Sequence, residues 1–293
     1  MELLKRIRMK KTIIITALSI FLSASSNAQN NSSGPGIELF NGENLNGWYT
    51  FLKDNGRDKD PKGVFTVRDG MIRISGEEWG CITTDSEYEN FKLEMEFKWG
   101  ELSFKPRLDK ARDSGVLLHS QGEDGGSDGT WMHSIECQVI EGGTGDFIVV
   151  GDGSDQFQLT STVALEKQGG SFVFQREGHT ETINGGRINW FARDPEWKDM
   201  LGFRGKNDVE KKVGEWNSLV CIAEDDQITI YLNGVMVNKA TKVKPNRGRI
   251  QIQSEGAEIY FRKVELTPLS RKNEEVHWTN LLDEELSQWD SYL

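Results

Sequence analysis

The chain has 293 residues, 36% of them hydrophobic, and a formal net charge of −11, enough length for one large domain or two ordinary ones with a buried core. Such an acidic balance disfavours nucleic acid and anionic membranes as partners, since both repel a polyanion. The three cysteines, Cys81, Cys137 and Cys221, are far apart and sit in apolar or strand-like surroundings, so they read as core thiols rather than a disulfide framework.

The N-terminus is basic at Lys5, Arg6, Arg8, Lys10 and Lys11, apolar from Thr12 to Leu22, and small at Ser26-Asn27-Ala28. That order is the pattern of a secretory signal peptide over residues 1–28, cleaved after Ala28. The apolar stretch is too short to cross a bilayer core of about 30 Å as a helix. A periplasmic or extracellular destination follows, with no membrane insertion after cleavage, and losing this segment leaves the mature chain more acidic still. Residues 29–36 read as a disordered linker.

From Ile37 to Leu269 short alternating runs are separated by Gly, Asn and Asp, with almost no helical periodicity. This pattern predicts one antiparallel β-sandwich over residues 37–269. Phe91, Leu93, Met95 and Phe97 alternate with Lys92, Glu94, Glu96 and Lys98, a strand with one face in the core and one in water. Two further strands surround a glycine-rich loop. In the first, Val116 and Leu118 point one way and Gly115, Leu117 and His119 the other; in the second, Ile135, Cys137 and Val139 alternate with Glu136 and Gln138. If these strands pair, His119 and Glu136 meet on one surface, with open space above Gly115. The run Glu141-Gly-Gly-Thr-Gly-Asp146 then forms a rim loop. Residues 172–204 hold strand-like pieces, the turn Asn184-Gly185-Gly186 and an irregular excursion from Trp190 to Trp197. Ile228, Ile230 and Leu232 lead into Asn233-Gly234, a hairpin turn that accepts positive φ. Near the end, Gln251 and Gln253, and then Tyr260 and Arg262, form a second polar surface.

The tail, residues 270–293, carries Leu282-Asp-Glu-Glu-Leu286-Ser-Gln-Trp289, an echo of Phe40-Asn-Gly-Glu-Asn-Leu45-Asn-Gly-Trp48. It reads as the start of a truncated second copy, which could not bury a core alone.

The opening Leu39-Phe40-Asn41-Gly42 with Leu45-x-x-Trp48 resembles the start of the 3-keto-disaccharide hydrolase family, formerly DUF1080. The likeness continues through Thr83-Thr84-Asp85, Tyr88-Glu-Asn-Phe91-Lys-Leu93, Asp113-Ser114-Gly115-Val116 and Ser134-Ile-Glu136-Cys-Gln138. It ends with Glu215-Trp216-Asn217, Asn233-Gly234 and Gly248-Arg-Ile250-Gln-Ile-Gln253-Ser-Glu255-Gly256. Many members carry Asn-Ser-Gly where this chain has Asp113-Ser114-Gly115. The resemblance implies a concanavalin A-like jelly roll, a carbohydrate partner and cleavage of 3-keto glycosides or disaccharides.

A ketone at carbon 3 acidifies the hydrogen at carbon 2, so a base can form an enolate that expels the substituent on carbon 1, and water then adds to the 3-keto-glycal. This asks for a general base, a stabiliser of the enolate oxygen and an acid for the leaving group. Glu136 is the expected base, with His119 as its partner. Gln138 and Gln253 suit sugar hydroxyls, Arg112 or Arg262 suits the ketone, Trp131 suits a ring face, and Glu141 and Asp146 complete the substrate-binding set. A divalent metal is an alternative enolate stabiliser, for which His119, Glu136 and a second carboxylate, Glu255 or Glu141, supply suitable ligand types; if Glu136 holds the metal, the base is another group, and His119 becomes the stronger candidate. Two other readings stand beside this one. A conventional endo-glucanase needs two carboxylates, and the strand partner of Glu136 is an amide. A non-catalytic lectin-like module needs neither acid nor base.

Overall fold

The computed structural model describes residues 34–270, so the expected signal peptide (1–28), most of the linker (29–36) and the tail after Ser270 lie outside the described residues. Within them the chain is all-β, with no helix, and two large sheets pack face to face as a jelly-roll sandwich. The back sheet runs in the order His179–Ile183, Gln158–Val163, Val235–Lys244, Gln227–Leu232, Asn217–Glu224, Phe91–Ser103, Ala257–Pro268, Met71–Ile74, Phe65–Arg68. The site sheet runs Phe172–Val173, Gly186–Asn189, Phe147–Val150, His133–Ile140, Asp113–Gln121, Arg249–Ser254, Gly80–Thr84, Trp48–Leu52, Gly56–Arg57. Strands adjacent in space are mostly distant in sequence, so the site is assembled from segments far apart in the chain.

The alternation read from the sequence sets which faces meet. Phe91, Leu93, Met95 and Phe97 are at most 1% exposed, and opposite them Leu219 and Cys221 pair in register with Met95 and Leu93. From the site sheet Val116, Leu118, Ile135, Cys137, Val139, Ile250 and Ile252 enter the same core. The three cysteines are free and buried, as expected of core thiols. The hairpin at Asn233-Gly234 forms with both residues at positive φ, 50° and 80°, which matches the twist of the flanking strands.

Residues 190–216 cross the end of the site sheet and are pinned to it. Asp146 accepts from the Trp190 amide at 2.8 Å and pairs with Arg193; Glu141 accepts from the Gly202 amide at 2.8 Å; and Trp197 Nε1 donates to the Glu141 carbonyl at 2.9 Å. The excursion is therefore a wall built against the glycine-rich loop. No helix among the described residues is long and apolar enough to cross a membrane.

Candidate active site

The outward face of the site sheet is covered rather than solvated. Cys81, Leu117, Trp131 and Val150 form a second apolar cluster there, backed by Phe51, Trp79 and Ile148, with Trp79 and Trp131 stacked at 6.3 Å between ring centroids and 25° between planes. Beside that floor lies a cleft of about 310 Å³ whose walls include Asp113, Ser127, Asp128, Trp131, Glu136, Gln138, Arg187, Gln253 and Glu255. Strand register explains the grouping. Leu117 opposes both Gln251 and Glu136, Glu136 opposes Ile148, and Ile148 opposes Arg187, so one row across five strands carries Glu136 and ends in a guanidinium.

Glu136 and Gln253 share the space above Gly115. A Cβ at position 115 would overlap the Oε1 atoms of both, so glycine is required there for the two side chains to lie over the strand, and the open space expected above it is filled by them. Neither oxygen has a hydrogen-bond partner, although both are buried. Two acceptors placed together need a proton between them, and a protonated Glu136 or a turned Gln253 amide supplies it. Gln138, Asp113 and Arg187 are tied. Gln138 Nε2 donates to Asp113 Oδ1 at 2.7 Å, Asp113 Oδ2 lies 3.1 Å from Arg107, and Gln251 holds the covering loop by accepting from the Met132 amide at 3.1 Å.

Three of the carboxyls in this cleft, Asp113, Glu136 and Glu255, cannot all ionise at ordinary cost. Burial first, then the Asp113 charge, pushes Glu136 up to about 8, against the opposing pull of Arg187. Burial, then Glu136, pushes Glu255 up to about 8, and burial together with Glu255 raises Asp113 despite Arg107 and Arg187. The cleft thus holds carboxyls that can both keep and release a proton near neutrality, the property that general acid–base chemistry requires.

Several expected site residues lie elsewhere. His119 does not meet Glu136. The ladder to His133–Ile140 shifts register between Leu118 and Gln121, and His119 adopts φ 55°, which turns its ring against Phe91 in the core at 5.6 Å between centroids. There Nδ1 bonds the Pro245 carbonyl at 2.9 Å, and burial lowers the pKa to about 4. Arg112 and Glu141 bond each other at 2.8 Å, and Glu141 also accepts from the Arg112 amide at 3.0 Å, so both are spent in anchoring the loop. Asp146, fully buried, is held by Arg193, by Arg187 at 3.4 Å and by the Trp190 amide. Arg262 stands on the outer face of the back sheet, bonded to Glu96 at 2.6 Å and over the Trp216 ring at 4.0 Å. With His119 turned away, the metal set His119, Glu136 and Glu255 does not assemble, and among the described residues no three His, Cys, Asp or Glu side chains converge to hold an ion. The donors present do not fit a metal centre.

The cleft also contains Asp113 and Arg187, which the strand patterns did not single out as site residues. Asp113 had a local signal, since it shares the parity of Gly115 and abuts it. Arg187 had none, because its place beside Glu136 depends on Gly186–Asn189 pairing with Phe147–Val150.

Among solved structures the chain is similar to a candidate glycosyl hydrolase from Parabacteroides distasonis ATCC 8503, at 19% identity over 80% of this chain and 94% of that one, with a TM-score of 0.47. It is also similar to the β-glucanase of Bacillus licheniformis, at 12% identity over 82% and 100% with a TM-score of 0.40, and to the carbohydrate-binding module CBM66 of Bacillus subtilis, at 14% identity over 75% and 95% with a TM-score of 0.36. No curated protein matches the sequence. Scores below 0.5 at such identities leave the assignment resting on the sequence match, which spans nearly the whole sandwich. The chain belongs to the 3-keto-alpha-glucoside-1,2-lyase-like domain family, whose sequence model matches residues 35–267.

Proposed function

We propose that this carbohydrate-active domain cleaves 3-keto glycosides by removing the proton at carbon 2. The observation that carries the reading is Glu136, a carboxyl with no ion-pair partner of its own, lying in the cleft over Gly115 and tuned to about 8. A base with a pKa near working pH is strong when ionised and is still ionised often enough to act. Glu136 takes the carbon 2 proton; Arg187, in register one strand beyond Ile148, donates to the oxygen on which enolate charge develops; and Glu255 returns a proton to the departing oxygen on carbon 1. Gln138, Gln253 and Trp131 supply the hydroxyl partners and the ring face that orient the sugar. The basic, apolar and small segments of residues 1–28 support export, which N-terminal sequencing of the mature protein beginning at Gln29 would establish.

One observation favours a second reading. Glu255 and Asp113 bring further carboxyls to Glu136, so the objection that its strand partner is an amide does not exclude a two-carboxylate glycosidase. Purified protein given a 3-keto glucoside labelled with deuterium at carbon 2, alongside its unoxidised parent, separates the two. Proton removal requires release of the label to solvent and near inertness of the parent. Equal cleavage of both with the label retained assigns the glycosidase, and binding without cleavage of either assigns a lectin.

A further inference from the structure

Next to the carboxyl cleft lies a second cavity of about 260 Å³, and Arg187 lines both. Gln168, Asn189, Arg193, Asp194 and Trp197 contribute to the second one. Asn189 follows Arg187 by two residues in the strand Gly186–Asn189, so the two share a face of the sheet. Its side chain is 6% exposed, and its Oδ1 has no partner. Gln168 Oε1 is likewise buried and unpartnered. A buried amide without a partner costs stability, so both carbonyl oxygens are open to a ligand's donors.

The charges here cancel. Arg187 and Arg193 share Asp146, while Asp194 is occupied by the Glu196 and Lys206 amides at 2.9 and 3.1 Å. The cavity therefore offers amide and guanidinium hydrogen-bonding groups without net charge, beside a Trp197 ring whose face is occupied by Arg193 at 4.1 Å. An anion would find the charge of the arginines offset by Asp146 and Asp194, and an apolar ring would find one face of Trp197 already taken by Arg193. A neutral polyhydroxylated group satisfies the two amides.

The geometry points to this cavity as the seat of the leaving group, a neutral polyhydroxylated ring bound by Asn189 and Gln168, with Arg187 lining both cavities. The assignment rests on the carboxyl cleft being the reacting centre. It makes the second cavity a determinant of which glycosides are cleaved, separate from the groups that move protons.

The test compares two 3-keto glucosides with the same oxidised ring, one carrying a glucosyl leaving group and one a methyl group, on the full protein and on Asn189→Ala and Gln168→Ala. Expected is a loss of about tenfold in kcat/KM for the glucosyl substrate in each variant, with the methyl substrate changed less than about twofold. Equal losses on both substrates, or no loss on either, overturn the assignment. If the wild type cleaves neither substrate, the proton-removal reading fails by itself. Saturation-transfer NMR with the unoxidised disaccharide then decides the subsite: transfer to the second ring that Asn189→Ala abolishes supports it, and transfer left unchanged overturns it.

Discussion

The outer faces of the two sheets look alike as strings of alternating residues and differ in everything that matters for function. On the back sheet Lys92, Glu94, Glu96 and Arg262 stand in water and pair with one another, Lys92 with Glu94 at 2.9 Å and Arg262 with Glu96 at 2.6 Å. Such pairs contribute little, because water screens them and long side chains lose freedom in making them. On the site sheet the loop before His133 and the excursion after Asn189 cover the equivalent face, and the same residue types become buried carboxyls and clamped arginines. Coverage by loops, not the alternation itself, turns a polar sheet face into a site.

The largest expected contrast is catalytic. Glu136→Gln keeps shape and removes basicity, so turnover of a 3-keto glucoside should fall by about 10² to 10⁴, whereas Glu96→Gln on the back sheet should leave kcat/KM unchanged. Steady-state assays on both variants check this, and wild-type-like turnover by Glu136→Gln would falsify the assignment of the base. His119→Asn, which tolerates the positive φ, should cost stability through its lost contact with Phe91 and still retain kcat, because the ring faces the core.

Next comes stability. Asp146→Ala leaves Arg193 buried without its counter-charge, and breaking such a pair costs about 3–5 kcal/mol. Glu96→Ala at the exposed pair should cost between about 0 and 1 kcal/mol. Urea unfolding midpoints measure both, and equal costs would mean that the two faces are not energetically different. Gly115→Ala should cost less stability than Asp146→Ala and still impair turnover, since the added methyl displaces both Glu136 and Gln253.

The pH dependence is the mildest effect and the most diagnostic. Glu136, Glu255 and the buried Glu210, whose carboxylate accepts from Trp99 Nε1 at 2.6 Å, each have a folded pKa of about 8 against an ordinary 4.5. The folded state binds more protons between those values, so the stability they confer is complete below 4.5 and is lost as pH rises through 8. His119 acts in the opposite direction. Its folded pKa of about 4 against 6.5 confers stability that is full above 6.5 and lost as pH falls through 4. Three raised carboxyls outweigh one lowered histidine, so the domain should lose stability steadily as pH rises from about 4.5 to 8, and Glu136→Gln should flatten that decline. Denaturation midpoints that keep rising to pH 9 would contradict this. In turnover the same group gives the reverse slope, with kcat/KM increasing as pH approaches 8 and the base ionises.

The sequence by itself determined the class of the fold, since a period of two over 37–269 with turn residues between runs admits only strands, and two-faced strands of that number close as a sandwich. It also determined Glu136, Gln138 and Gln253 as groups on the outward face, because parity within a regular strand is a local property. Everything that depended on contacts between distant segments was decided by the tertiary structure. The bulge at His119 reversed that side chain, and parity arguments fail wherever a ladder gains a residue. Glu141 and Asp146 looked like rim groups from the glycines between them, yet the excursion 190–216 closes over that loop and bonds both, and Arg112, expected at the ketone, is paired with Glu141. Arg262 matched Gln253 in pattern and lies on the opposite side of the molecule, because alternation names a face and not a sheet. Arg187 reaches the cleft only through the pairing of two strands nearly forty residues apart, a long-range register that no local pattern encodes.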